Sequence, residues 1–349
     1  MQLDNLEMIK QLDHQDALGV IGNSAEQLKF VAEINNFSQN KAEIRNIVLS
    51  GMGGSCLAGL IAKNWLDYQY QFKKPFEVTR DYSVPSYVDQ HSLVICVSVS
   101  GNTEETLSSL DDALAKGAQV AIITSGGKLL DLAREKQLPY VVLDKISQPR
   151  YGVPMHLRAI TALLNKYNLI DDQPYQELTN SYANVASFAR QLGATIISDR
   201  NQAKQLAWNA AGKTVLVFSS RLFSPLAYKW KTSFNENAKN TVWCNEFPEF
   251  NHNEFIGWTS HPIEKPFAVI NLRSNLDNPR INERLDLTER LLSGQRPAAT
   301  DVILAGDSYI QQILCGAILG DFASIYLGLL NGVNPTPVAL VEKFKKELS

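Results

Sequence analysis

The sequence predicts an α/β fold of two tandem doubly wound units, each a central parallel sheet flanked by helices. Three observations carry that expectation. Short runs rich in β-branched residues, at 46–50, 93–100 and 119–124, are each followed by a turn of Gly, Ser and Thr and then by one helical stretch. Those runs are apolar without alternation, which marks strands covered on both faces. A looser version of the same strand-helix rhythm returns after residue 212, and 349 residues exceed one ordinary core. Right-handed crossovers then give layered sheets with helices on both sides.

The elements follow in order. The first twenty residues mix charged and apolar side chains and read as helical, without the basic-then-apolar pattern of a secretory signal. Strand 46–50 runs into Gly51-Met52-Gly53-Gly54-Ser55 and a helix of small apolar residues. Strand 93–100 runs into Gly101-Asn102-Thr103-Glu104-Glu105-Thr106 and a helix to about Lys116. Strand 119–124 leads through Ser125-Gly126-Gly127 to a helix ending near Lys136, and a short strand occupies 140–143. Prolines 149 and 154 punctuate the end of this unit. The expected domains are therefore 1–152 and 153–349, the latter opening with a helical connection to about Gly212. The second unit should hold strands at 213–219, 267–271 and 301–304, helices at 225–239 and 313–330, and a C-terminal helix from about Pro337. Residues 313–330 are long enough to cross a bilayer. Asp321 at their centre would cost about 3 kcal/mol there on the lenient insertion scale, so the run is expected to be a helix buried inside a soluble, cytoplasmic protein.

Composition narrows the function. Thirty-three basic against 36 acidic residues give a net charge of −3, which argues against a nucleic-acid partner. Five histidines and four cysteines are scattered without CxxC or HExxH, so no metal site is expected. Cys56, Cys96, Cys244 and Cys315 sit in apolar surroundings and read as reduced core thiols.

Open parallel sheets bind ligands at the carboxyl ends of their strands. Here those ends carry GMGGS, SVSGNTEET and TSGG. None is a GxGxxG fingerprint in the right register, and no Walker lysine follows. Glycine with Ser and Thr hydroxyls at a helix N-terminus suits a compact anion: free backbone N–H groups, the positive end of the helix dipole, and hydroxyl donors. A phosphate monoester fits best, because several hydroxyls converge on its oxygens. The plain alternative is that Ser100 and Thr103 cap the following helix. Two such loops on one sheet edge favour the phosphate.

These loops resemble the sugar isomerase (SIS) domain, a phosphosugar-binding α/β fold. In the second half, residues 229–239 (KWKTSFNENAK) and 248–254 (PEFNHNE), together with Pro149-Arg150, resemble the bifunctional phosphoglucose/phosphomannose isomerase family over nearly the whole chain, with Lys229 where arginine is common. The resemblance implies an aldose-ketose isomerase that interconverts glucose 6-phosphate, and by the same token mannose 6-phosphate, with fructose 6-phosphate through a cis-enediol, without metal or cofactor. It implies that Glu236 carries the proton between C1 and C2, that His252 opens the pyranose from the neighbouring subunit of a homodimer with shared active sites, and that Arg150 stabilises the enediolate. Ser55, Ser98, Ser100 and Thr103, with Gly53 and Gly54, would hold the phosphate. Thr336 would give room at C2. On the C-terminal helix, Lys345 stands four residues after Val341 and three before Leu348, pointing partly toward the protein. By resemblance it assists ring opening, with Lys343 the alternative if the register shifts. His14, His91, His156 and His261 carry no such motif and read as structural or exposed. The competing class is a sugar-phosphate sensor that binds without turnover, disfavoured by the retained Glu236 and His252 and by the lack of a helix-turn-helix segment.

Overall fold

The computed structural model describes residues 2–38, 42–260 and 265–348; His261 lies outside the described residues. The polypeptide forms two compact units, one of residues 24–183 and one of residues 1–23 with 184–349. Residue 152, the expected boundary, falls within the first, because the helix that follows it covers that unit's sheet.

Two short helices open the chain, α1 (Leu6–Leu12) and α2 (Ala17–Gly22), each started by a side-chain cap from Asn5 and Asp16. The sheet of the first unit contains β1 (Ile34–Asn35), β2 (Asn46–Gly51), β3 (Phe76–Thr79), β4 (Ser92–Ser98), β5 (Gln119–Thr124) and β6 (Tyr140–Val142). Their order is β1-β6-β5-β4-β2-β3, parallel except for β1 against β6. The helices are α3 (Gly53–Tyr70), α4 (Glu104–Ala115), α5 (Gly127–Glu135), α6 (Val153–Lys166) and α7 (Gln173–Asn180). Every residue of β4 and β5 is buried, as their unbroken apolar runs require. Val48, Val94, Cys96 and Ile122 pack on one face against Leu110 and Ala113 of α4 and Leu129 of α5; α6 packs on α3 and also meets β5. The chain leaves β2 toward one edge and β4 toward the other, so the carboxyl ends of these neighbours form the topological switch point.

Helix α8 (Tyr182–Arg190) leads into the second unit, with α9 (Gln202–Ala210), β7 (Thr214–Ser220), α10 (Ser224–Ala238), β8 (Val242–Phe247), α11 (Glu254–Gly257), β9 (Phe267–Arg273), α12 (Pro279–Leu291), β10 (Thr300–Ile303), α13 (Tyr309–Leu330) and α14 (Ala339–Leu348). Four parallel strands run in the order β10-β9-β7-β8. Helix α13 has the length and hydropathy of a membrane span, but residues 312–329 are all buried within the unit, against α2, α9 and α10. It is apolar all round because it is covered all round. Gly316, Gly320, Ser324 and Gly328 recur every fourth residue, and the ring of Trp230 lies 2.5 Å from where a Cβ on Gly320 would stand. Asp321 meets Lys229 Nζ at 2.5 Å and accepts from Ser233 Oγ at 2.6 Å, while Asn237 donates to Ser324 Oγ at 2.9 Å. A polar seam thus runs between α10 and α13 inside an apolar core.

Candidate active site

In the first unit, the register pairs Gly51 with Val97, which puts the loop after β2 beside the loop after β4. Helix α3 starts at Gly53, in the left-handed region at φ 50°, after Met52, which offers no side-chain cap. The N-terminus of α4 lacks a side-chain cap as well: Thr103 stands at the cap position, yet its Oγ1 lies 2.8 Å from Ser98 Oγ instead. Ser98 Oγ also accepts from the Gly101 N–H at 3.1 Å and lies 3.4 Å from Ser100 Oγ. Buried Ser98 thus stands between the other two hydroxyls, joined on one side to half-buried Thr103 and on the other to exposed Ser100. Two adjacent helix N-termini with free backbone donors, edged by hydroxyls and by the buried Ser55, have the chemistry of an anion cradle.

Arg150 is brought to the same loops. It sits in a single helical turn, Pro149–Tyr151, almost fully buried, and its Nη1 donates to Gln148 Oε1 at 2.9 Å. Gly54 makes this possible. A Cβ there would lie 2.8 Å from the carbonyl of Pro149 and 2.9 Å from the Arg150 nitrogen, closer than backbone atoms tolerate. The turn is held from its other end by Gln27, which donates to the Tyr151 carbonyl at 2.8 Å, and by His156 Nδ1, 2.6 Å from the Gly152 carbonyl. Sequence reasoning missed a second cation at this sheet edge. Arg80 follows edge strand β3, and its charge opposes the burial that pushes the Cys56 thiol, in the first turns of α3, up to about 11.

In the second unit, Glu236 lies half-buried in the last turn of α10. It lines a cavity of about 700 Å³ with Asn235, Lys239, Asn334, Pro337 and residues at the start of α14. Asn235 Oδ1 accepts from the Val242 N–H at 3.0 Å, which ties this end of α10 to β8. Thr336 is buried on the segment between α13 and α14, its N–H donating to Asn334 Oδ1 at 3.1 Å.

His252 is exposed just after the turn Glu249–Asn251. Its neighbours are tied down: Asn251 donates to Thr288 Oγ1 at 3.0 Å and accepts from Arg284 at 3.1 Å, exposed Asn253 donates to Glu249 across the turn at 2.7 Å, and Glu254 accepts from Asn245 at 2.6 Å. The polar motif fixes the loop and presents the imidazole to solvent, outside the lining of the Glu236 cavity. Lys345 and Lys343 are exposed, as is every described residue of α14, and Lys343 lies 3.7 Å from Glu347. The inward face expected of this helix is therefore uncovered in the single chain; Val341, Phe344 and Leu348 face solvent. Of the cysteines, Cys56, Cys96 and Cys315 are buried free thiols, whereas Cys244 is only half-buried.

Paired parallel α/β units with a hydroxyl-lined cradle at a switch point define an SIS-type phosphosugar protein, and the comparisons agree. The SIS domain family matches residues 42–156, and the bacterial phospho-glucose isomerase C-terminal SIS domain matches residues 199–348. Among solved structures, a glucose-6-phosphate isomerase-like protein from Thermus thermophilus has the same fold, with a TM-score of 0.66 at 17% identity and 99% of each chain covered. A bifunctional phosphoglucose/phosphomannose isomerase from Caldicellulosiruptor bescii is 34% identical over 94% of this chain and 97% of its own. Its counterpart from Aquifex aeolicus is 32% identical over 90% and 94%. The chain belongs to the bifunctional phosphoglucose/phosphomannose isomerase family.

Proposed function

We propose that this protein interconverts glucose 6-phosphate and mannose 6-phosphate with fructose 6-phosphate through a cis-enediol. Family membership supports the activity, and the observation that carries the mechanism is Glu236 in the wall of a cavity large enough for a hexose phosphate. In this reading residues 1–152 supply the phosphate loops (Gly53, Gly54, Ser55, Ser98, Ser100, Thr103) and Arg150, and residues 153–349 supply Glu236, His252, Thr336 and Lys345. Glu236 removes the proton from C2 of the aldose and returns it to C1, while Arg150 offsets the charge that develops on the enediolate oxygens. His252 exchanges the proton that opens the pyranose, an imidazole task near neutral pH. Lys345 assists the opening, and Thr336 sets the room beside C2.

A homodimer completes the reading. His252 is exposed and outside the Glu236 cavity of its own chain, as a residue given to a partner's site would be. Mixed dimers of Glu236→Gln and His252→Ala chains should regain part of the activity; none, with hybrids demonstrated, would assign both residues to one chain's site.

The test of the function is Glu236→Gln, which keeps shape and loses the base. Turnover in a coupled assay with chelator present should fall by two to four powers of ten, roughly 3–5 kcal/mol, with fructose 6-phosphate still bound. Wild-type protein should exchange deuterium into C2 of glucose 6-phosphate. No exchange in the wild type would leave a binding protein instead of an isomerase.

A further inference from the structure

Lys239 ends α10, three residues after Glu236, with its backbone in the left-handed region at φ 52°. That position at a helix end favours glycine, because a Cβ crowds the following carbonyl there. A lysine held against that preference directs attention to its side chain. The ammonium folds back over the helix end and donates to the Glu236 carbonyl at 2.7 Å, the Asn334 carbonyl at 3.0 Å and the Pro335 carbonyl at 3.1 Å. It therefore joins the residue that carries the carboxylate to the segment that leads into Thr336. A second tie runs alongside, Asn331 Nδ2 donating to the Ala238 carbonyl at 3.0 Å. Glu236, Lys239 and Asn334 line the same cavity.

We propose that Lys239 is a positioning residue that sets the spacing between the Glu236 base and the cavity wall at Asn334 and Pro337, on either side of Thr336, and so governs both the proton transfer and the balance between the two C2 epimers. The inference rests on the isomerase reading of Glu236. The physical reason is that a carboxylate shuttling a proton between adjacent carbons must stand at nearly the same distance from both, and the wall beside C2 decides which face of the enediol is reprotonated. Three charge-assisted bonds from one ammonium hold the two backbones more firmly than water would. The phosphate loops lie on other elements, so binding is not the property Lys239 controls.

Lys239→Gly, in the full-length chain, separates this role from a structural one. Glycine suits the backbone, so thermal unfolding should stay near that of the wild type, while displacement of the base on the order of 1 Å should lower kcat by about tenfold to a hundredfold. KM for fructose 6-phosphate should stay within about twofold. The initial ratio of glucose 6-phosphate to mannose 6-phosphate formed from fructose 6-phosphate should change. Lys239→Met, which keeps the length and loses the charge, should behave likewise, and Lys239→Arg should recover part of kcat and of the ratio. Wild-type kcat and an unchanged epimer ratio in either the Gly or the Met variant would overturn the proposal. So would a raised KM at constant kcat, which would make Lys239 a binding group. If the wild type turned over neither sugar, the isomerase reading would fail first and the inference with it.

Discussion

Replacing Asp321 by alanine should unfold the second unit well below its normal temperature. The carboxylate is among the most enclosed charged groups of the unit: side-chain exposures are 1% for Lys229 and 6% for Asp321, at 2.5 Å, with Ser233 donating to the same oxygen. Taking two ions out of water costs several kcal/mol each, and only their mutual attraction and added hydrogen bonds offset it. Removing the carboxylate while the ammonium stays buried should therefore cost about 3–5 kcal/mol, roughly a fifth or more of the stability of an ordinary domain. For a unit of this size that lowers the melting temperature by roughly 6–20 °C. Circular dichroism melts and urea titrations of Asp321→Ala measure it. The decisive control is Lys229→Met with Asp321→Asn, which removes both charges, keeps the volumes and leaves Ser233 a partner. It should lie within about 1–2 kcal/mol of the wild type. If Asp321→Ala cost less than about 1 kcal/mol, or if the effects of Lys229→Met and Asp321→Asn made singly simply summed in the double variant, Lys229 and Asp321 would not act as a coupled pair.

Thr103→Val removes one of the three clustered hydroxyls and should raise KM by one to two powers of ten, from about 1.5–3 kcal/mol of lost bonding to a charged ligand, with a smaller change in kcat. A collapse of turnover at unchanged affinity would refute the cradle. Gly54→Ala should displace the Pro149–Arg150 turn, destabilising the protein by about 1–3 kcal/mol and lowering kcat through Arg150; a neutral result in both would refute the close approach. Burial holds the His156 pKa below its ordinary 6.5, and its Nε2 has no partner. Its contribution is present above pH 6.5 and is lost as pH falls from that value toward the depressed folded pKa, so His156→Gln should flatten the stability profile just below pH 6.5. Cys96 and Cys315 are pushed up to about 12 by burial, so alkylation at pH 8 should modify them only on unfolding; rapid labelling of the native protein would contradict that burial.

Most of the strands legible in the sequence are buried on both faces, although the short β6 and the edge strand β10 also stand near their expected positions. Strands β2, β4, β5, β7 and β9 read as unbroken apolar runs and stand near their expected positions. Edge strands β3 and β8 were not expected, because one side of each meets solvent and the sequences, FEVT and VWCNEF, mix polar with apolar residues. Helix α12 escaped for a related reason: only Leu285 and Thr288 of its thirteen residues are buried. At the site, loop chemistry was readable because glycine and hydroxyl residues are needed locally. Arg80 was not, since it is a lone arginine after an edge strand that was itself missed. The face of α14 shows a different limit. Spacing showed that Val341, Phe344 and Leu348 share a side, but periodicity does not say what covers it, and within one chain they are exposed.

The arrangement around α13 has a consequence for the order in which the chain is made. Residues 1–23 belong with 184–349: α2 lies against α13, and Asp4 bonds to Ser198 and Lys204. Residues 1–23 are therefore made long before residues 309–330 and must wait for them before either finds its place. During that wait the unit of residues 24–183 can already close upon itself, whereas the faces of α2, α9 and α10 that α13 covers stay open until it is made. Such distant pairing slows folding and lengthens the exposure of aggregation-prone surface. Nascent chains stalled short of residue 309 should thus carry a protease-sensitive N-terminus beside a resistant 24–183, and the sensitivity should vanish only once α13 has emerged.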